Sequence, residues 1–448
     1  MRYFLEYSVA LVIIFSAVAE QTSDGWRAEF EKGIKHHAAG QWTEAERSYL
    51  SALSAARSRQ PDSRPPAILE NLSSLYMTRG QFARASPYLK EAIEVRTSSV
   101  DSQSNPQLVT DWNLLGAAYC ALGQATDAID AHRRALELLG NKGEASVAGS
   151  VTYFLLGMAH DRQTRLAEAE KDYQHALSIM SYSGDRDDLT FVRIATALAS
   201  LYVDLYRLDE AHELLRRAVA VIQQPGNRNT LAFVECFDVW GQLLSQEEKY
   251  TAAEEAWRTA IGTRNPATEL LRFPARIHLA EFYIKMAEYT KAEVELRDSA
   301  DACSRFGSKN GMLYARILAD LAFVKMQSHD YSKASDLLDR AQRIEESQPE
   351  SLFRAQVLNF QGVLFQSRKQ WSEAEGRLRE VCEIRRRLLG ANPLLAISMR
   401  SHAFVLRKLK RNAEAKELEQ QAKAILRHQQ PQQIASYTVD VRALRRQQ

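Results

Sequence analysis

Along most of the chain, large apolar residues recur at three- and four-residue intervals, as in Leu72, Leu75 and Tyr76 or Leu198, Leu201 and Tyr202. This spacing gathers them on one face of an α-helix. Small residues punctuate the same stretches with a longer period. An alanine anchors ten successive units at Ala45, Ala85, Ala128, Ala169, Ala211, Ala253, Ala292, Ala334, Ala374 and Ala415, with steps of 39 to 43 residues. Twelve places before each anchor stands Gly33, Ser73, Gly116, Gly157, Ala199, Gly241, Ala280, Ala322, Gly362 or Ala403. Seven places after it stands another small residue, Ala52 in the first unit and Ala92 in the second, with Val381 the exception in the ninth. Two helices can approach closely only where a large side chain is absent, so each unit reads as a pair of packed amphipathic helices. The second helix begins just after a turn such as Gly40-Gln41-Trp42 or Gly80-Gln81-Phe82. Breakers including Pro61, Asn105-Pro106, Gly140, Pro225-Gly226 and Asn392-Pro393 separate the units. The pattern predicts ten helix pairs from about Trp26 to Arg427.

The N-terminus departs from this period. Arg2 precedes an apolar run from Val9 to Val18 that closes on Ala17-Val18-Ala19. The run is too short for a bilayer, which takes about 20 residues, and its order matches a cleaved export signal over residues 1–19. The other reading is an apolar helix packed on the first repeat. No other stretch is apolar enough to cross a membrane.

Composition sharpens this reading at three points. Gly (19) and Pro (11) are scarce in 448 residues, as long helices joined by single turns require. Lys and Arg (58) nearly balance Asp and Glu (56), which excludes a chain built around nucleic-acid binding. Four cysteines in 448 residues exclude a disulfide scaffold, and four packed free thiols are expected. Because a repeat unit touches mainly its neighbours, residues 20–428 are expected to form one elongated module rather than several globules. A short C-terminal tail, 429–448, follows.

Catalytic signatures are absent: no H-E-x-x-H, G-x-S-x-G or phosphate loop occurs. Gly140-Asn141-Lys142-Gly143 reads as an inter-repeat turn. His36 and His37 point about 100° apart on a helix and do not share a metal ion readily. Neither a metal nor a cofactor is expected, and the chain is read as a non-enzyme.

The third unit, Trp112-Asn113-Leu114-Leu115-Gly116-Ala117-Ala118-Tyr119, reproduces the W-x2-L-G-x2-Y signature of the tetratricopeptide repeat family, and Ala128 and His132 follow where A-x3-F belongs. The sequence therefore resembles that family over about 90% of its length. Its longer units, and the segment Glu383 to Pro393, are similar to those of kinesin light chain and related bacterial proteins. The resemblance implies an all-α, right-handed superhelical solenoid whose first helices line a concave, peptide-binding face. Carried onto the first-helix positions, it implies a groove containing Asn113, Phe154, Arg193, Asp238, Arg316, Phe323, Asn359 and Arg400. Asn would bond a peptide backbone, and exposed Phe would supply apolar pockets. The expected function is a non-enzymatic scaffold, exported, that holds an extended protein segment. The alternative is a cytoplasmic regulatory or sensor module whose output lies in a separate chain.

The last 72 residues, from Arg377, carry 16 Lys and Arg against 6 Asp and Glu. This basic end is either a solvated cap, which a terminal repeat needs, or a surface for an acidic partner. Ser436 to Val441 alternates like a short strand.

Overall fold

The computed structural model describes residues 25–427, apart from 60–64, 99–105, 164, 184–188, 225, 229, 264–271, 306–310 and 346–351. The expected export signal and the strand-like Ser436 to Val441 lie outside the described residues. Among the described residues, twenty helices run in sequential antiparallel pairs. They are α1 (Gly25–Ala38) with α2 (Trp42–Arg59), α3 (Pro66–Thr78) with α4 (Phe82–Thr97), α5 (Pro106–Ala121) with α6 (Ala125–Glu144), and α7 (Val147–Arg162) with α8 (Leu166–Ser183). Next come α9 (Leu189–Asp204) with α10 (Leu208–Ile222), α11 (Leu231–Gln246) with α12 (Tyr250–Ile261), and α13 (Arg272–Lys285) with α14 (Tyr289–Arg305). The last are α15 (Met312–Gln327) with α16 (Tyr331–Glu345), α17 (Leu352–Ser367) with α18 (Trp371–Leu389), and α19 (Pro393–Lys408) with α20 (Asn412–Arg427). The chain packs as two units, 1–239 and 240–448, divided within α11. In each, the pairs stack as a solenoid.

The ten anchor alanines are all fully buried, at 0% exposure. The glycines twelve residues earlier have a sharper role than close backbone approach. A Cβ at Gly33 would lie 2.4 Å from the Tyr49 ring, one at Gly116 2.5 Å from His132, one at Gly157 2.7 Å from Tyr173, and one at Gly241 2.7 Å from Trp257. Each ring stands four residues after its anchor and fills the space over the glycine. Where the small residue is Ser73, Ala199, Ala280 or Ala322, the corresponding position holds Leu89, Leu215, Leu296 or Leu338. The volume across the helix pair is thereby held nearly constant, as a close-packed interior requires. Gly362 faces Leu378 at 2.9 Å and departs from the pattern.

Among the described residues, nine turns between paired helices are each made by one left-handed residue, which lets the next amide reach back to the first helix. Gly40, Gly80 and Gly123 take this role, and so do Tyr206, Glu248, Ala287, His329, Lys369 and Lys410 at φ near 60°. The following N–H closes the helix end, as in Gln41 to His36 O at 2.9 Å and Lys249 to Leu244 O at 2.9 Å. The expected loop at Gly140 is instead a kink (φ 57°) within α6, after which the helix runs on to Glu144. Ser146 then caps α7 by accepting from Gly149 N at 3.3 Å.

Neighbouring pairs are tied by a second recurring contact. The residue after the anchor is Glu46, Glu170, Glu254 or Glu293, and each meets the next repeat's first helix. Tyr76 donates to Glu46 at 3.0 Å, Tyr202 to Glu170 at 3.1 Å, Tyr283 to Glu254 at 2.7 Å, and Lys325 to Glu293 at 2.6 Å. Arg84 and Arg207 lie 4.2 and 4.1 Å over the Tyr76 and Tyr202 rings and bond the same carboxylates at 2.7 Å. Each cation–π contact stays within one repeat, whereas the bonds to Glu46 and Glu170 cross to the preceding one.

The glycine–ring rule is testable at Gly157. Gly157→Ala should destabilise the chain by about 1–3 kcal/mol, because the ring cannot leave a packed interior freely. Adding Tyr173→Leu, the residue type found opposite Ser73 and Ala199, should recover most of that loss. Denaturation midpoints of the four chains in a double-mutant cycle measure the coupling.

Candidate binding face

First helices of successive repeats lie side by side at α1–α3 and α5–α7 in the first unit and at α13–α15 and α15–α17 in the second. The face they present is more closed than the sequence implies. Asn113 is buried: its Nδ2 donates to Thr152 Oγ1 at 2.8 Å and its Oδ1 accepts from His132 Nδ1 at 3.0 Å. Its amide ties α5, α6 and α7 together rather than facing a ligand. Phe154 and Phe323 are each 3% exposed. Phe154 lies 6.0 Å from the Tyr173 ring, and Phe323 lies 5.4 Å from that of Phe360. The expected apolar pockets are therefore filled, because side-by-side first helices close over their own rings. Asp238 is buried as well.

Arg193 and Arg316 are engaged within their own units. Arg193 pairs with Glu235 at 3.4 Å and lies 5.5 Å over the Phe154 ring. Arg316 Nε donates to Glu281 at 3.1 Å, joining α13 to α15. Asn359 is half-buried and Arg400 exposed. Near Arg400, Lys408 lies 5.7 Å over Trp371 and 5.4 Å over Phe404. Of the eight expected groove residues, Asn359 and Arg400 are therefore the ones left open. Of the basic run at 385–387, Arg385 is buried: it donates to Leu394 O at 3.1 Å and to Ser398 Oγ at 2.5 Å, and burial lowers its pKa to about 10.

Sequence reasoning missed two buried carboxylate–guanidinium triads. In one, Arg96 bonds both Glu70 and Asp111, with Asp111 Oδ2 at 3.0 Å. In the other, Glu281 and Arg316 sit beside Asp320, whose Oδ2 has no hydrogen-bond partner. Burial, and then the neighbouring glutamate, push Asp111 and Asp320 up to about 8, with the single arginine offsetting only part. The paired carboxylates come together only when the helices stack, so no spacing in the sequence signals these sites. The four cysteines are buried and free, with burial pushing Cys236 and Cys382 up to about 12. Among the described residues there is no cluster of three or more metal-ligating side chains, and no helix long and apolar enough to cross a membrane.

Family profiles described as tetratricopeptide repeat match residues 107–181 and 351–428, and again 67–102 and 192–224. No curated protein matches the chain. Among solved structures, the apo form of RapI is similar at 14% identity and a TM-score of 0.52, over 63% of this chain and 99% of that one. A Rap protein complexed with Competence and Sporulation Factor is similar at 15% identity and a TM-score of 0.51, over 80% of this chain and 100% of that one. BtubC (BKLC) from P. vanneervenii is similar at 17% identity and a TM-score of 0.40, over 53% of this chain and 90% of that one.

The triads predict a pH dependence. A carboxyl raised in the folded state binds its proton more tightly there than in the unfolded chain. Its stabilising contribution is complete below about pH 4 and is lost as the pH rises through about 8. Thermal unfolding between pH 5 and 9 should therefore show a falling midpoint. Asp111→Asn with Asp320→Asn, which keep the acceptor oxygen but cannot ionise, should flatten that fall.

Proposed function

Because the chain belongs to the tetratricopeptide repeat family, we propose that it is a regulatory or sensor module that acts by holding an extended peptide or partner segment on its first-helix face, with the output residing in a separate chain. The observation that supports this reading is the side-by-side packing of first helices at α1–α3, α5–α7, α13–α15 and α15–α17, with Asn359 and Arg400 left open on α17 and α19. The repeat fold is a protein-binding fold, and its similarity to the Rap structures, one of which holds a factor, supports the regulatory reading over a passive scaffold. Binding would spread over many weak contacts, with Asn359 bonding backbone and Arg400 pairing with an acidic side chain.

Where the module works is a separate question. The apolar run of residues 1–19 favours an exported protein, as a second reading. N-terminal sequencing of the protein from its native cell distinguishes the two: a start at Glu20 supports export, and an intact Met1 supports the cytoplasmic regulator.

The binding face is tested by affinity capture with crosslinks mapped onto the repeats, followed by charge reversal. Arg400→Glu should weaken the captured partner by about tenfold, as loss of an interfacial charge pair does. Lys416→Glu, on the exposed side of α20, should leave it unchanged. Crosslinks confined to the second helices, or equal affinity for both variants, would remove the first-helix face from the binding site.

A further inference from the structure

Repeats three and four enclose a cleft that the binding face does not use. It holds about 340 Å³ and is bounded by α6, α7 and α8, with Tyr153, Leu156 and His160 contributed by α7. Those three residues stand on a different side of α7 from Phe154 and Met158, so the cleft is distinct from the first-helix face. Its floor is largely apolar: the Tyr153 and His175 rings meet edge-on at 4.3 Å with their planes 70° apart, beside buried Leu156.

The polar lining is unevenly matched. Five of its residues carry or can carry positive charge, Arg133, Arg165, Lys171, His160 and His175, against the carboxylates of Glu168 and Asp172. Both carboxylates are already occupied. Glu168 accepts twice from Arg165, at 3.0 and 2.8 Å, which holds its carboxyl below the usual range. Asp172 accepts from His160 Nδ1 at 2.6 Å. His160 is 4% exposed, and its Nε2 has no hydrogen-bond partner. Arg133 and Lys171 are exposed at the rim and make no ion pair among the described residues. A cleft with a ring-lined floor, more cationic than acidic side chains, and two exposed cations without an ion pair among the described residues is matched by a ligand with an aromatic body and an anionic head.

We propose that this cleft binds an aryl phosphate: the ring packs into the corner between Tyr153, His175 and Leu156, and the phosphate reaches Arg133 and Lys171. Arginine suits a phosphate because its planar fork can donate two parallel bonds, and lysine adds a point charge. The cleft volume lies in the range of small-ligand sites, roughly 300–1,000 Å³. A free aromatic phosphate and a phosphotyrosyl side chain share this chemistry.

Calorimetric titration of the full chain decides the matter. Phenyl phosphate should bind saturably and weaken with added salt, inorganic phosphate should bind about tenfold more weakly for lack of a ring, and neutral benzyl alcohol should not bind measurably. Arg133→Ala with Lys171→Ala should weaken phenyl phosphate by at least about tenfold, the effect of losing charge-assisted bonds. Arg134→Ala, the exposed neighbour paired with Glu137, should not. All three positions are on the surface, and circular dichroism checks that each variant is folded. A phosphotyrosyl pentapeptide that binds more tightly than phenyl phosphate assigns the site to a modified side chain; the reverse order assigns it to a free small molecule. No saturable binding to the folded wild type, or unchanged binding by the double variant, would overturn the proposal.

Discussion

The interaction on which the rest of the structure depends is the seating of one side chain, four residues after the anchor alanine, over a small residue on the partner helix. At Gly33, Gly116, Gly157 and Gly241 a ring occupies the place where a Cβ would stand. The distance between paired helices follows from that fit. So does the direction in which the first helix presents its remaining faces. Because the anchors are fully buried in every repeat, an error in one pair would be handed to the next. Packed interiors have little room to absorb it.

Between pairs, apolar packing runs on, as from Tyr49 through Leu72 and Leu89 to Leu115, and polar ties that vary along the chain are added to it. Glu46, Glu170, Glu254 and Glu293 bond a tyrosine or lysine of the following repeat. Ser86 and Ile129 stand at that position in repeats two and three, where other ties take over. There the Glu70–Arg96–Asp111 triad and the His132–Asn113–Thr152 chain cross between repeats. Buried polar links of this kind add little net stability but penalise wrong registers, since a shifted repeat would leave a buried donor or charge alone. Side chains that a first reading assigns to a ligand, Asn113, Arg193 and Arg316, are therefore used for assembly. What is left for a partner lies chiefly where first-helix residues stay open, as at Asn359 and Arg400.

How much could be read beforehand differs by residue. Ala45 to Ala415 mark every second helix, because a fully buried contact admits only a small side chain and so leaves a periodic trace. Burial at Phe154 and Phe323 leaves no such trace. A phenylalanine at that helical position is apolar whether it faces a groove or a neighbouring repeat, and only the approach of Tyr173 or Phe360 distinguishes the two. Arg385 is similar: within a run of three arginines it looks solvated, yet the turn into α19 brings Leu394 O and Ser398 onto it.

By itself, the amino-acid sequence determined the helix pairs, their number and their turns, because helical periodicity and small-residue contacts are local and repeat every unit. It also determined that the cysteines are too few for a disulfide framework. Tertiary structure alone decided which polar residues are spent on assembly, where carboxylates share one guanidinium, and that α6, α7 and α8 enclose a cationic cleft. These features join residues that are far apart in sequence, up to 42 positions for Arg162 and Cys120 O. Their chemistry arises only when neighbouring repeats exclude water between them, and no period in the sequence encodes that.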